Sequence, residues 1–410
     1  MQEIHDGEAT LLLNSKTACG QIETALQGIS EDADCKAAFS EISSWEEYRE
    51  TPLIRLEKYE TKLGLKAVYF KDESARLGLN GIKALEASYA VFRLLLNKIR
   101  EIAGEKATRK DLTERKYDDI VSKITVLCVA GGNHASCVAW AARMFGAKCT
   151  VYAPAGTSGA ERETLERYGA VVKACEGGSE DAARACAADS EQNGMIFLSE
   201  AACPDYAQAP SDMMSGYAVA VDEALRQIPE RPTHIFVQCG NGRLAATVAA
   251  RFCRDCDEAE APLVVTVEPN GSAAVYSAVK NGENVSVSGK PETVMGDLCQ
   301  TEAFEKALSA LKKCAAAFMT IPDTLIPAVM CDLANKECAQ TPVVSGHSGV
   351  CGLAGLITAC DSGDFRKALN LGENSVVLLF GSEGAADSGV YEKIVGKTVQ
   401  EVLNDPEKTP

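Results

Sequence analysis

The sequence predicts a doubly wound α/β protein, a parallel sheet covered on both faces by helices. Two observations carry this. Strand-length runs such as Val126-Leu127-Cys128-Val129 are apolar throughout rather than alternating, as strands buried on both faces are. Those runs alternate along the chain with helix-length amphipathic segments, the order of α/β folds. The length adds a third: 410 residues leave room for two or three ordinary domains, or for one enzyme of two interleaved lobes. Right-handed crossovers then put ligands at the carboxyl ends of the strands.

Residues 1 to about 40 are acidic and mixed, and read as a leader packed on the body, with a helical stretch near Cys19 to Ile29. Ala67 to Phe70 reads as a strand and Lys83 to Ile102 as a long helix. The strand Ile124–Val129 leads to a helix Ala135–Phe145 that Gly146 ends, and the strand Cys149–Tyr152 to a helix Ala160–Tyr168, also closed by glycine. Val171–Ala174 and Met195–Leu198 are further strands. A helix Met213–Arg226, a strand His234–Gln238 and a helix Arg243–Phe252 follow, then strands Leu263–Val267 and Ser375–Phe380. The charged stretch Glu105–Asp119 is most simply a solvated connection.

Composition narrows the function. With 46% hydrophobic and 24% charged residues the chain is globular. Its net charge of −17 repels phosphate backbones and anionic lipid, which argues against nucleic-acid or membrane-surface partners. No apolar run approaches a membrane span, and no basic start followed by an apolar core opens the chain, so the expected setting is the cytoplasm. Seventeen cysteines, an odd number scattered singly through apolar stretches, suit reduced thiols. The one CxxC, Cys253 to Cys256, lacks a second pair or nearby histidines, so no metal site is expected.

Four short motifs stand where strands end. Lys71-Asp72-Glu73-Ser74 is followed by a glycine-bearing turn and by Lys83 at a helix start. A lysine there opposes the helix dipole, and attachment to a carbonyl cofactor would justify it; by spacing alone a surface lysine is the plainer reading. Ala130-Gly131-Gly132-Asn133-His134 turns from strand to helix, either toward a ligand or as a tight turn capped by asparagine. Cys239-Gly240-Asn241-Gly242-Arg243-Leu244 offers small residues and free amides for a phosphate; it is neither a P-loop nor a dinucleotide fingerprint. Gly381-Ser382-Glu383-Gly384 places a hydroxyl after the last strand and, alone, is only a turn.

Together and in this order, the motifs resemble the β-family of pyridoxal-phosphate enzymes (fold type II), and within it the diaminopropionate ammonia-lyases. The likeness also takes in Tyr48 with Thr51-Pro52-Leu53, Gly216-Tyr217, Val267-Glu268-Pro269 and Ser345-Gly346-His347-Ser348-Gly349, covering about residues 45 to 395. It implies a two-lobe fold, with residues 1–44 as the leader, 45–85 and 223–410 as the large cofactor-binding domain, and 86–222 as a small mobile domain. It implies that Lys83 holds the cofactor as a Schiff base and moves the α-proton. Asn133 would bond the ring hydroxyl, Gly240, Asn241, Gly242, Arg243 and Leu244 would cradle the phosphate, and Ser382 would bond the pyridine nitrogen. Gly131, Gly132, His134 and His347 would face the substrate, and a homodimer is expected.

Three departures bear on the reaction. The subfamily's aspartate before Gly-Asn-His is Gly131, its second aspartate falls on Glu200, and its Gly-Glu-Ser-Gly is Gly346-His347-Ser348-Gly349. A glycine cannot remove a proton, so use of a D-isomer should be lost or rerouted through Glu200 or water. The expected activity is β-elimination from a small amino acid such as 2,3-diaminopropionate, giving a 2-oxo acid and ammonia. The alternatives are a serine or threonine dehydratase, a β-replacement enzyme, and a catalytically silent homologue.

Overall fold

The computed structural model describes residues 1–14, 31–199, 206–254, 261–284, 286, 292–335 and 341–404. The helix expected over Cys19–Ile29 lies outside them, as do Cys256 and Glu200. The first strands are β1 (Gln2–Asp6), β2 (Ala9–Leu13), β3 (Leu53–Arg55), β4 (Ala67–Asp72), β5 (Thr125–Val129) and β6 (Lys148–Ala153). The remaining six are β7 (Val171–Ala174), β8 (Ile196–Phe197), β9 (His234–Gln238), β10 (Leu263–Pro269), β11 (Ala317–Ile321) and β12 (Val376–Gly381).

The chain divides into two compact units. The larger comprises Met1–Ala33, Glu47–Ile82 and Ala218–Pro410, and the smaller Asp34–Glu46 and Lys83–Tyr217. In the larger, eight strands run in the order β1-β2-β11-β10-β9-β12-β4-β3. The five inner strands β11, β10, β9, β12 and β4 are mutually parallel, and the edges are antiparallel: β1 on β2, β2 on β11, β3 on β4. Every residue of β9, β11 and β12 is buried, which explains why these strands are mainly apolar. Phe236, Val267, Met319 and Leu379 meet Leu353 and Leu356 of the helix Cys351–Asp361 in one core. Each such side chain contributes roughly 1.5–3 kcal/mol, so the strand ends that carry the motifs are rigidly held.

The smaller unit holds the parallel sheet β7-β6-β5-β8. Its longest helix, Lys83–Ala103, buries one face through Leu85, Val91, Leu94, Leu95 and Ile99 and ends at Gly104, whose φ is +72°. The helix Ala209–Gln227 passes so near it that a β-carbon on Gly216 would stand 2.6 Å from the Leu85 carbonyl oxygen. Trp45 packs against Phe92 of the long helix and against Trp140 and Phe145.

Several elements differ from the expectation. The leader begins as a hairpin, β1–β2, that extends the large sheet, and β3 and β11 were not anticipated. All are short, and a run of about five apolar residues has no period that separates strand from helix. The stretch Glu105–Asp119 is not only a solvated connection. A capping box between Thr108 and Asp111 starts a short helix, Arg109–Thr113, and Leu112 and Tyr117 are buried.

Candidate active site

The parallel strands of the larger unit end at one sheet edge, so residues 73–82, 239–242 and 382–384 gather there behind β4, β9 and β12. Gln238 Nε2 donates to the Phe380 carbonyl at 2.8 Å, pinning the ends of β9 and β12. The Ile82 N–H donates to the Ser382 carbonyl at 2.8 Å, and Gly81 bridges Glu383. The residue just before Lys83 is therefore bonded to Ser382. The Ser382 hydroxyl, on a buried residue, has no partner among the described residues.

The loop after β9 is built for an anion. Gly242, at φ +93°, caps the helix Arg243–Cys253 without a side-chain bond, and a β-carbon there would stand 3.2 Å from Leu311 Cδ1 and Val275 Cγ2. Asn241 Oδ1 accepts from the Arg243 N–H at 3.2 Å, and the Asn241 carbonyl accepts from the Phe304 N–H at 2.8 Å. Among the described residues the amides of Gly240, Gly242, Leu244 and Ala245 meet no acceptor. Unmet amides at the positive end of an 11-residue helix fit a phosphate dianion, so the residues present suit such a cofactor.

The charges of the first motif turn inward instead. Arg76 Nη2 donates to Glu223 Oε2 at 2.6 Å and Arg76 Nε to Glu73 Oε2 at 2.8 Å, while Lys71 Nζ reaches Glu223 Oε2 at 2.7 Å. Two cations and two anions leave the cluster neutral. Burial alone would raise the Glu223 carboxyl, but the Arg76 guanidinium and Lys71 ammonium override it and hold the acid well below the usual carboxylate range. Leu77 and Asn80, in the same loop, have φ of +51° and +59°, a left-handed conformation that is rare for leucine and better tolerated by asparagine. Glu223 is the member that sequence reading missed, since an acid in an amphipathic helix looks solvated.

In the smaller unit, Lys83 is the first residue of its helix and is buried. One turn on, Glu86 Oε1 lies 3.3 Å from His134 Nδ1, which joins this helix to the Asn133–His134 turn. Asn133 and His134 are both buried, and the His134 ring is engaged with Glu86. Asn133 holds the cap position of the helix His134–Phe145 but its side chain makes no cap bond, so the asparagine-capping reading fails. Gly131 and Gly132 are exposed, with φ of +137° and +68°. Asp212, a buried acid that sequence reading passed over, is pushed up to about 6 by burial; Tyr206 Oη donates to it and Arg93 stands 3.6 Å away. His347 belongs to the larger unit, where half-burial lowers its pKa.

Residues 45–381 match the family described as pyridoxal-phosphate dependent enzymes. The chain is 30% identical over 355 residues to diaminopropionate ammonia-lyase of Escherichia coli K12, covering 85% of this chain and 87% of that one. The solved structure of the E. coli holo enzyme superposes with a TM-score of 0.83 at 26% identity, covering 94% of this chain and 96% of that one. The same enzyme in complex with D-serine gives 0.83 at 27% identity, with the same coverage. The chain belongs to the family of pyridoxal-phosphate dependent enzymes.

Proposed function

We propose that this protein is a pyridoxal-phosphate lyase that removes a β-substituent from a small amino acid, 2,3-diaminopropionate first among them, to give a 2-oxo acid and ammonia. The observation that carries this is the set of unmet amides of Gly240, Gly242, Leu244 and Ala245, in a chain 30% identical to a diaminopropionate ammonia-lyase. Those amides would hold the phosphate, Asn133 the ring hydroxyl and Ser382 Oγ the ring nitrogen. Bound there, the cofactor supplies the electron sink that acidifies the substrate's α-carbon. Ser382 is neutral, so it adds no charge to that sink, which suits elimination over transamination. Lys83 Nζ would carry the cofactor's carbonyl carbon and, once freed by substrate, take the α-proton.

A second reading, elimination from serine or threonine or β-replacement, is favoured by the groups that differ from the ammonia-lyases, Gly131 and His347. The acidic surface and free thiols support a cytoplasmic setting, and the homodimer is part of the same proposal. Among the described residues no helix is long and apolar enough to cross a membrane. The test is release of 2-oxo acid and ammonia from a panel of amino acids by purified protein. Diaminopropionate should lead the panel. A protein that binds cofactor and turns over none of them would be a silent homologue.

A further inference from the structure

Glu383 follows Ser382 in the chain, and its carboxyl lies where three segments of the larger unit meet. Oε1 accepts from the Ser348 N–H at 2.7 Å. The Glu383 carbonyl accepts from the Gly346 N–H at 3.0 Å and from Ser345 Oγ at 3.2 Å. There is no slack in this packing: a β-carbon on Gly346 would stand 2.8 Å from Glu383 Oε1, and one on Gly349 2.6 Å from the Glu383 carbonyl oxygen. Ser348 also brings in Asp297, on the single turn Gly296–Leu298: the Asp297 N–H donates to Ser348 Oγ at 3.3 Å, which sets the Asp297 carboxyl beside that of Glu383. That turn backs the glycine loop, since a β-carbon on Gly240 would stand 3.3 Å from Leu298 Cα and 3.4 Å from the Asp297 carbonyl oxygen. One carboxyl thus joins the Ser382 segment, the His347 loop and the wall behind Gly240.

Two carboxyls can stand side by side in a buried place only while one keeps its proton. Burial, and then the Asp297 charge, raise Glu383 to about 8, so Glu383 is the one that keeps it. The other charged groups on the elements packed here are committed elsewhere. Asp72 Oδ1 accepts from the Ser74 N–H, Glu73 is paired with Arg76, and His347 is faced by Asp323 and Asp387. Ser348 and Asp297 are the partners of the Glu383 carboxyl among the described residues.

We propose that Glu383 is a positioning residue for Ser382 and the glycine loop, and that its contact with Asp297 sets the alkaline limit of cofactor retention. The proposal rests on the reading above, in which Ser382 and Gly240–Leu244 hold the cofactor. When the proton leaves to water, two carboxylates face each other in a buried place. Their repulsion moves the Asp297 turn off Gly240 and shifts the segment that carries Ser382.

The experiment dialyses purified holoenzyme across a pH series and reads bound cofactor from its visible absorbance, with melting temperatures of the cofactor-free protein recorded alongside. The unmodified protein should hold cofactor at least about tenfold less tightly once the pH passes about 8, and its cofactor-free form should melt lower there. Glu383→Gln can still accept from Ser348 without titrating, so both curves should flatten. Asp297→Asn should flatten them too, since it removes the repelling charge. Glu383→Ala should weaken retention roughly tenfold at every pH, through the lost bonds. If cofactor binds and the Gln and Asn variants lose it at the same alkaline pH as the unmodified protein, or if the latter's curve is itself flat, the proposal is wrong while the cofactor site stands. No retained cofactor at any pH would overturn both.

Discussion

The Arg76 guanidinium and the Glu223 carboxylate meet at 2.6 Å with neither side chain reached by water. Lys71 and Glu73 complete the cluster, and Thr51 and Tyr48 close it, with Thr51 Oγ1 donating to Glu73 at 2.6 Å and Tyr48 Oη to Glu223 at 2.9 Å. The cluster fixes the start of the loop that runs to Ile82. It supplies a stability prediction before any catalytic one.

Glu223→Gln leaves two buried cations with one anion, and should cost about 3–5 kcal/mol in denaturant unfolding at neutral pH. The folded carboxyl is lowered from 4.5, so its contribution is complete above that value and is lost as the pH falls through the folded one. Variant and unmodified protein should therefore converge in strong acid. A gap that stays constant down to the acid limit would show that charge is not what the cluster contributes.

Lys83 is the expected site of attachment. Reduction with borohydride should fix the cofactor to the peptide that contains Lys83, and Lys83→Ala should lose both the trapped adduct and turnover. Trapping on another lysine in the variant, with activity kept, would refute the assignment.

Gly242 has no room for a side chain, at φ +93° with Leu311 and Val275 each 3.2 Å from the place of a β-carbon. Gly242→Asp adds a carboxylate beside the phosphate as well as this strain, and should empty the protein of cofactor on dialysis. Fluorescence titration with pyridoxal phosphate checks it; affinity within twofold of the unmodified protein would remove the loop from the site.

Stereochemistry follows from Gly131. A lysine reaches the cofactor from one face and takes the α-proton of one enantiomer, and the resemblance to the ammonia-lyases implies an aspartate where this chain has glycine. General-base help is worth about 10²–10⁴-fold, so L-2,3-diaminopropionate should be turned over far faster than the D-isomer. Gly131→Asp should recover only part of the D activity, because φ of +137° belongs to glycine and the turn must rebuild at about 1–3 kcal/mol. Initial rates on both isomers decide it: equal rates in the unmodified protein would place another base on the face opposite Lys83. Glu200→Gln should slow elimination more than substrate binding if Glu200 serves the leaving group.

The sequence by itself determined the parallel α/β class, because a strand covered on both faces is apolar along most of its length, as Ile235–Val237 and Val376–Gly381 are. It also determined tight turns after two of the strands, since Gly131, Gly132 and Gly242 adopt backbone conformations that few residues other than glycine adopt. Only the tertiary structure decided where the charges went. Lys71, Glu73 and Arg76 read as a charged strand end opening on a site, yet Lys71 and Arg76 pair with Glu223, about 150 residues further on in a helix, and Glu73 pairs with Arg76. Glu383 read as part of a turn, yet it is a buried acid that accepts from the Ser348 N–H, and burial raises its pKa. Glycine turns and apolar runs are local consequences of sterics and burial, so they are written in consecutive residues. A charge's partner and its protonation depend on which distant segments the fold brings within a few ångströms, and no window of sequence contains that.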